Sequence, residues 1–209
     1  PNRGGPFHTL AAHFNSEQIH APTRGGATLF IKYERGMLTR ADRDALPPVG
    51  ARQELINGVL VISSSPGLAH QEVVGALSVQ LRDATRGTEL MSLHGPFDVV
   101  LAELTVVQPD LVIAPREQYT EADLPGAPSL IVEIRIPSTA VFDEVIKRDL
   151  YQEAGVPSYW LIDPQGPSIT VLELVDGNYQ EVARAQGDES IDVTAPVPMR
   201  LTPSQWRDD

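Results

Sequence analysis

Two apolar runs that each carry a single carboxylate constrain this chain more than any other feature. TVVQPDLVIAP, residues 105–115, sets Asp110 among Val, Leu and Ile, and SLIVEIRI, residues 129–136, does the same for Glu133. Both runs have the length and β-branched character of strands. Strand residues two apart share a face, so Glu133 and Arg135 are expected to point one way and Leu130, Val132, Ile134 and Ile136 the other. A buried charge is costly unless it is paired, protonated or bound to a metal. Two half-buried carboxylates beside a cation are the materials of a site that holds a divalent metal and acts on phosphate.

The flanking sequence supplies the rest of an α/β layout. Pro109 cannot donate to a strand ladder, so it predicts an edge, a bulge or a bend that aims Asp110. After Pro137, Ser138 or Thr139 can cap a helix with a buried stripe of Val141, Phe142, Val145, Ile146 and Leu150. Asp143, Lys147 and Tyr151 form a column beside that stripe. Taken alone, Asp143 and Lys147 read as an i, i+4 pair worth about 0.2–0.5 kcal/mol. Gly155 and Pro157 end the helix, and SYWLID reads as a buried strand of the same sheet. SITVLEL and YQEVARA, joined at Asp176-Gly177-Asn178, read as a hairpin.

Upstream, residues 1–36 mix Gly, Pro, His and Arg without periodicity, and are expected to be a largely disordered tail. Its His8, His13 and His20 are spaced too irregularly for a metal site. The domain is expected to begin near Met37, with Thr39 and Asp42 as a capping box for a short helix. Asn57-Gly58 joins RQELI to VLVIS as a two-residue hairpin turn. Glu54 on the first of these strands reads, by itself, as solvent-facing. A helix over about 68–86 carries a stripe of Val73, Val74, Leu77 and Leu81. His70 lies on that side, where a core or capping role is the commoner one. TELMSL, FDVVLA and TVVQPDLVIAP are expected to follow as a meander of strands.

Composition bounds the function classes. The 209 residues suit one domain with a loose end, and the absence of cysteine excludes disulfides and cysteine-ligated zinc. No apolar run reaches membrane-span length and no signal-peptide pattern is present, which predicts a cytoplasmic protein. A net charge of −12 argues against a broad electrostatic grip on nucleic acid. Contact with DNA would have to be local or aided by metal ions.

QELINGVLV, HQEVVGAL, VVQPDLVI, LIVEIRIPST, DEVIKRDLYQEAGVPSYWLID and ITVLEL occur in this order. The chain thereby resembles a large bacterial family of restriction-endonuclease-like proteins of the PD-(D/E)xK nuclease superfamily, over roughly Met37 to Ala183. The resemblance implies a mixed central β-sheet flanked by α-helices; with the C-terminal β-hairpin the domain is expected over residues 37–200, followed by a C-terminal tail over 201–209. It implies that Asp110 is a metal-binding aspartate, Glu133 the acidic residue of (D/E)xK, and Glu54 a third ligand or water-positioner. It also implies that Lys147, on the helix, replaces the usual strand lysine. Arg135 stands where the superfamily has that lysine, which leaves the cation open between Arg135 and Lys147. Arginine stays protonated, so Arg135 could position or stabilise but not act as a base. Implied too are Mg²⁺ or Mn²⁺, DNA as substrate, hydrolysis by a metal-activated water, and a homodimer as one way to cut both strands. Two rivals remain at this level. One is an inactive nuclease-fold module that binds nucleic acid or protein. The other is a glycosidase using Asp110 and Glu133 as acid and base, disfavoured by an aromatic content of only 6% for stacking sugars.

Overall fold

A computed structural model describes residues 28–31, 37–46, 51–63, 65–136 and 142–207. His8, His13, His20 and the capping residues Ser138 and Thr139 lie outside the described residues. The chain divides into two compact units, one comprising residues 1–65 and 102–107, the other 66–101 and 108–209.

The first unit is built around the Asn57-Gly58 turn. Both residues take positive φ, 48° and 77°, and close β2 (Arg52–Ile56) onto β3 (Val59–Ser63). The Thr39–Asp42 capping box starts α1 (Arg40–Asp44) as the sequence predicts. Two expectations change. Residues 28–31, assigned to the tail, form β1 (Thr28–Ile31) against the free edge of β3. TLFI is β-prone, and an open hairpin edge offers unpaired backbone groups. Glu54 is buried, not solvent-facing. β6 (Thr105–Val107) pairs with the other edge of β2, so Glu54 sits on an interior strand.

The second unit holds a six-stranded sheet of β4 (Leu90–His94), β7 (Leu111–Pro115), β9 (Leu130–Ile134), β10 (Ser158–Asp163), β11 (Ser168–Val175) and β12 (Asn178–Gln186). Its spatial order is β12-β11-β10-β9-β7-β4, with β9 and β10 parallel and the other neighbours antiparallel. Parallel neighbours need a crossover. Here it contains a π-helical turn, Phe142–Lys147, running into α3 (Arg148–Glu153). The Asp176-Gly177 turn forms as expected, with φ of 50° and 79°.

Helices cover both faces of this sheet. On one, Val73, Leu77 and Leu81 of α2 (Leu68–Thr85) share a core cluster with Leu111, Val132 and Trp160. Strand alternation puts Ile131 and Glu133 on the other face. Tyr159, the cross-strand partner of Ile131, meets Tyr151 of α3 edge-on there, with ring centroids 5.1 Å apart. All five residues of β9 are therefore buried, which explains its unbroken apolar run.

Three further readings are corrected. The run 105–115 is not one bent strand, because β6 stops at Val107 and β7 starts at Leu111. Pro109 separates two strands. β4 does not join the expected meander: it pairs with β7, while β5 (Asp98–Ala102) pairs in parallel with β8 (Asp123–Pro125). The chain leaves the sheet at Gly95-Pro96, where Pro96 has no N–H for a ladder. Residues 201–207 are not a tail. Leu201 ends β14 (Met199–Leu201), which pairs with β13 (Ile191–Val193), and Trp206 is buried in the α2 cluster. Their apolar area is too large to leave in water. Arg207 adds a hydrogen bond of 3.2 Å from Nε to Glu72 Oε2 on α2. Among the described residues, no helix is long and apolar enough to cross a membrane.

Candidate active site

Asp110 occupies the bend just before β7. Its backbone is held by Gly95, whose N–H donates to the Asp110 carbonyl at 2.8 Å. A Cβ on Gly95 would lie 2.6 Å from the Pro109 carbonyl oxygen, so the close approach requires glycine. The buried carboxylate is fixed through Oδ2, which accepts from the Ile134 amide at 2.7 Å and lies 3.1 Å from His70 Nε2. Ile134 follows Glu133, so Asp110 is bonded to the backbone one residue beyond Glu133.

Glu133 lies on the face covered by the β9–β10 crossover. Its Oε1 accepts from Lys147 Nζ at 2.9 Å and from the Tyr151 hydroxyl at 2.7 Å, and all three residues are buried. This overturns the expected helix stripe. Leu150 is buried as expected, but Val145 and Ile146 are 53% and 45% exposed. Lys147, expected beside the stripe, points into the protein. The cause is the π-helical register of 142–147: a wider turn rotates successive side chains less than the 3.6-residue period used to draw the stripe. The side chains of Phe142 and Asp143, like Val141, lie outside the described residues.

Arg135 lies just past β9 and is half-exposed, with its guanidinium 3.3 Å from Asp163 Oδ2. Lys147 is bonded to Glu133. Glu54 is buried on β2 in the first unit. His70, for which the sequence favoured a core or capping role, is in contact with Asp110. The apolar context of Asp110 was legible, but a contact spanning 40 residues of chain had no local signal. In the neutral tautomer whose Nε2–H donates to Asp110, Nδ1 presents a lone pair. That Nδ1 is buried without a hydrogen-bond partner among the described residues. Such an atom is unusual in a folded protein and calls for a bound water or ligand.

Beyond Tyr151 and Tyr159 lies Tyr179, whose ring centroid is 5.9 Å from that of Tyr159. Its hydroxyl donates to the Val156 carbonyl at 2.8 Å, and burial pushes its pKa above the ordinary phenol value. This cluster gives Tyr151, and through it Glu133, a rigid backing.

The donor set fits a hard divalent cation. No group of three or more His, Asp or Glu side chains collects as a ready-made metal cage among the described residues. Mg²⁺ does not need one, since it keeps several waters and is commonly held by one or two carboxylates plus substrate phosphate. Asp110 and Glu133 supply that number of hard oxygen donors.

A mixed sheet with helices on both faces, and two buried carboxylates on neighbouring segments, defines a protein of the restriction-endonuclease-like α/β class. The chain belongs to the Uma2 family, described as "Putative restriction endonuclease", whose model matches residues 41–204. A similar solved structure is that of "a putative nuclease belonging to DUF820" from Anabaena variabilis. It is 16% identical, with a TM-score of 0.62, over 81% of this chain and 98% of that one. No curated protein sequence matches the chain.

Proposed function

We propose that this protein is a metal-dependent endonuclease that hydrolyses phosphodiester bonds in DNA. The observation that carries the reading is the bond from the Ile134 amide, next in the chain to buried Glu133, to the buried Asp110 carboxylate at 2.7 Å. Two buried carboxylates on adjoining strand segments have a use in sharing one cation. Asp110 and Glu133 would hold Mg²⁺ or Mn²⁺. The bound cation supplies a lowered pKa for an attacking water and neutralises charge gathering on the phosphate. Tyr151 and the Ile134 amide fix the carboxylates in orientation. Lys147 brings a buried ammonium to Glu133 Oε1, where it would orient the water or stabilise the developing charge. Arg135, engaged with Asp163, lies outside this role. His70 locks Asp110 and leaves Nδ1 able to accept a proton-bearing group.

Isothermal titration with Mn²⁺ tests the site independently of turnover. Wild type is expected to bind, and Asp110→Ala and Glu133→Ala to lose the heat. Unchanged binding in both variants contradicts the assignment. A second reading, an inactive nuclease-fold module, is favoured by the net charge of −12, which repels DNA. It predicts no metal binding and no cleavage.

A further inference from the structure

The far end of α2 carries a second feature that the carboxylate site does not use. A cleft of about 360 Å³ is lined by Arg82, Thr85, Arg86, Met91, Ser92 and Arg116, among others, and no carboxylate is among its lining residues. In a chain of net charge −12, three guanidinium groups around one cleft are an exception. Arg86 is paired with Asp83 at 2.7 Å. Arg82 and Arg116 have no carboxylate partner among the described residues, and Arg116 Nη1 is held across the cleft by Met91 Sδ at 3.2 Å. The C-terminal end of α2 contributes roughly −0.5 of an elementary charge. Two unneutralised arginines outweigh it, so the cleft attracts anions.

Its position is fixed by the same elements that build the carboxylate site. The His70–Asp110 contact joins the start of α2 to the start of β7. Arg82 and Arg86 at the end of α2, and Arg116 just past β7, line the cleft together. From His70 to Arg82–Arg86 the helix rises about 18–24 Å. From Asp110 to Arg116 the strand spans about 20 Å. Both paths give the same separation, which matches the axial rise of about six nucleotides along one strand of a B-form duplex, 3.4 Å each.

We propose that Arg82, Arg86 and Arg116 anchor a phosphate of the nucleic-acid strand about six nucleotides from the bond being cut. The anchor makes the local contact that the acidic surface otherwise denies. The proposal rests on the nuclease reading for the identity of the strand, and its test separates the two.

Fluorescence anisotropy with a labelled 20-base-pair DNA duplex, in EDTA to prevent cleavage, compares wild type with Arg82→Ala/Arg116→Ala. Both residues are exposed, so folding is expected to survive, and a circular-dichroism melt checks it. Affinity is expected to fall at least tenfold, with the slope of log K against log salt reduced by about 2. Arg82→Lys/Arg116→Lys, which keeps the charge, is expected to restore much of the binding. An unchanged affinity and salt slope overturns the anchor, even if the wild type cleaves DNA. Loss of binding in the alanine variant while the wild type cleaves nothing upholds the anchor and removes the nuclease reading. Inorganic phosphate or a mononucleotide that binds the wild type when the duplex does not would overturn the strand assignment.

Discussion

Lys147 donates to Glu133 Oε1 across 2.9 Å, and both side chains are only 2% exposed. An ion pair so buried stabilises little over an apolar pair of the same shape, because both charges lose their hydration. Its retention, with Tyr151 bonded to the same oxygen, is better explained by chemistry at Glu133 than by stability.

Breaking this pair from one side is expected to cost about 3–5 kcal/mol, since it strands a buried charge. Lys147→Met should therefore lower the urea midpoint strongly. Adding Glu133→Gln, which removes the stranded charge, should recover a large part of the loss. A double variant no more stable than the single one would mean that the pair is not electrostatically coupled.

Gly95 sets the backbone of Asp110. Gly95→Ala would press a methyl group against the Pro109 carbonyl, and is expected to cost about 1–3 kcal/mol by overpacking and to weaken metal binding. Gly75→Ala on α2, where an added Cβ meets nothing within 4 Å, serves as the control. It should stabilise by up to about 1 kcal/mol and leave metal binding unchanged. Thermal melts with and without Mn²⁺ read both effects.

The C-terminal segment is a structural part of the domain. Trp206→Ala is expected to cost about 3–5 kcal/mol, as for other buried tryptophans. Chemical denaturation measures it, and a change below about 1 kcal/mol would return these residues to the status of a tail.

What the sequence made legible was local. Asn57-Gly58 and Asp176-Gly177 specify their turns through positive φ, and the apolar runs around Asp110 and Glu133 specify strands with carboxylates inside. The contacts that assemble the site were not local. His70 meets Asp110 across 40 residues and Arg135 meets Asp163 across 28, separations that no periodicity encodes. Lys147 was misplaced for another reason: the helix pattern assumes 3.6 residues per turn, and 142–147 is wound as a π-helix. The pairing of β4 with β7 likewise depends on where the chain exits at Gly95-Pro96.

Alkaline stability follows from the buried phenols. Burial raises the pKa of Tyr179 and of Tyr119 above the ordinary value near 10. The unfolded chain therefore loses these protons first. The stabilisation is complete below about pH 10 and is lost as pH rises towards the folded-state values. Tyr179→Phe should flatten part of the fall in urea midpoint above pH 10. An unchanged alkaline profile would remove Tyr179 from the account.

Mg²⁺- or Mn²⁺-dependent cleavage of single- and double-stranded DNA tests the central claim most directly, with wild type beside Asp110→Ala, Glu133→Ala, Lys147→Ala and Arg135→Ala. The account predicts cleavage that the first three substitutions abolish and that Arg135→Ala leaves within about tenfold of wild type. Cleavage that survives loss of both Asp110 and Glu133 would contradict it.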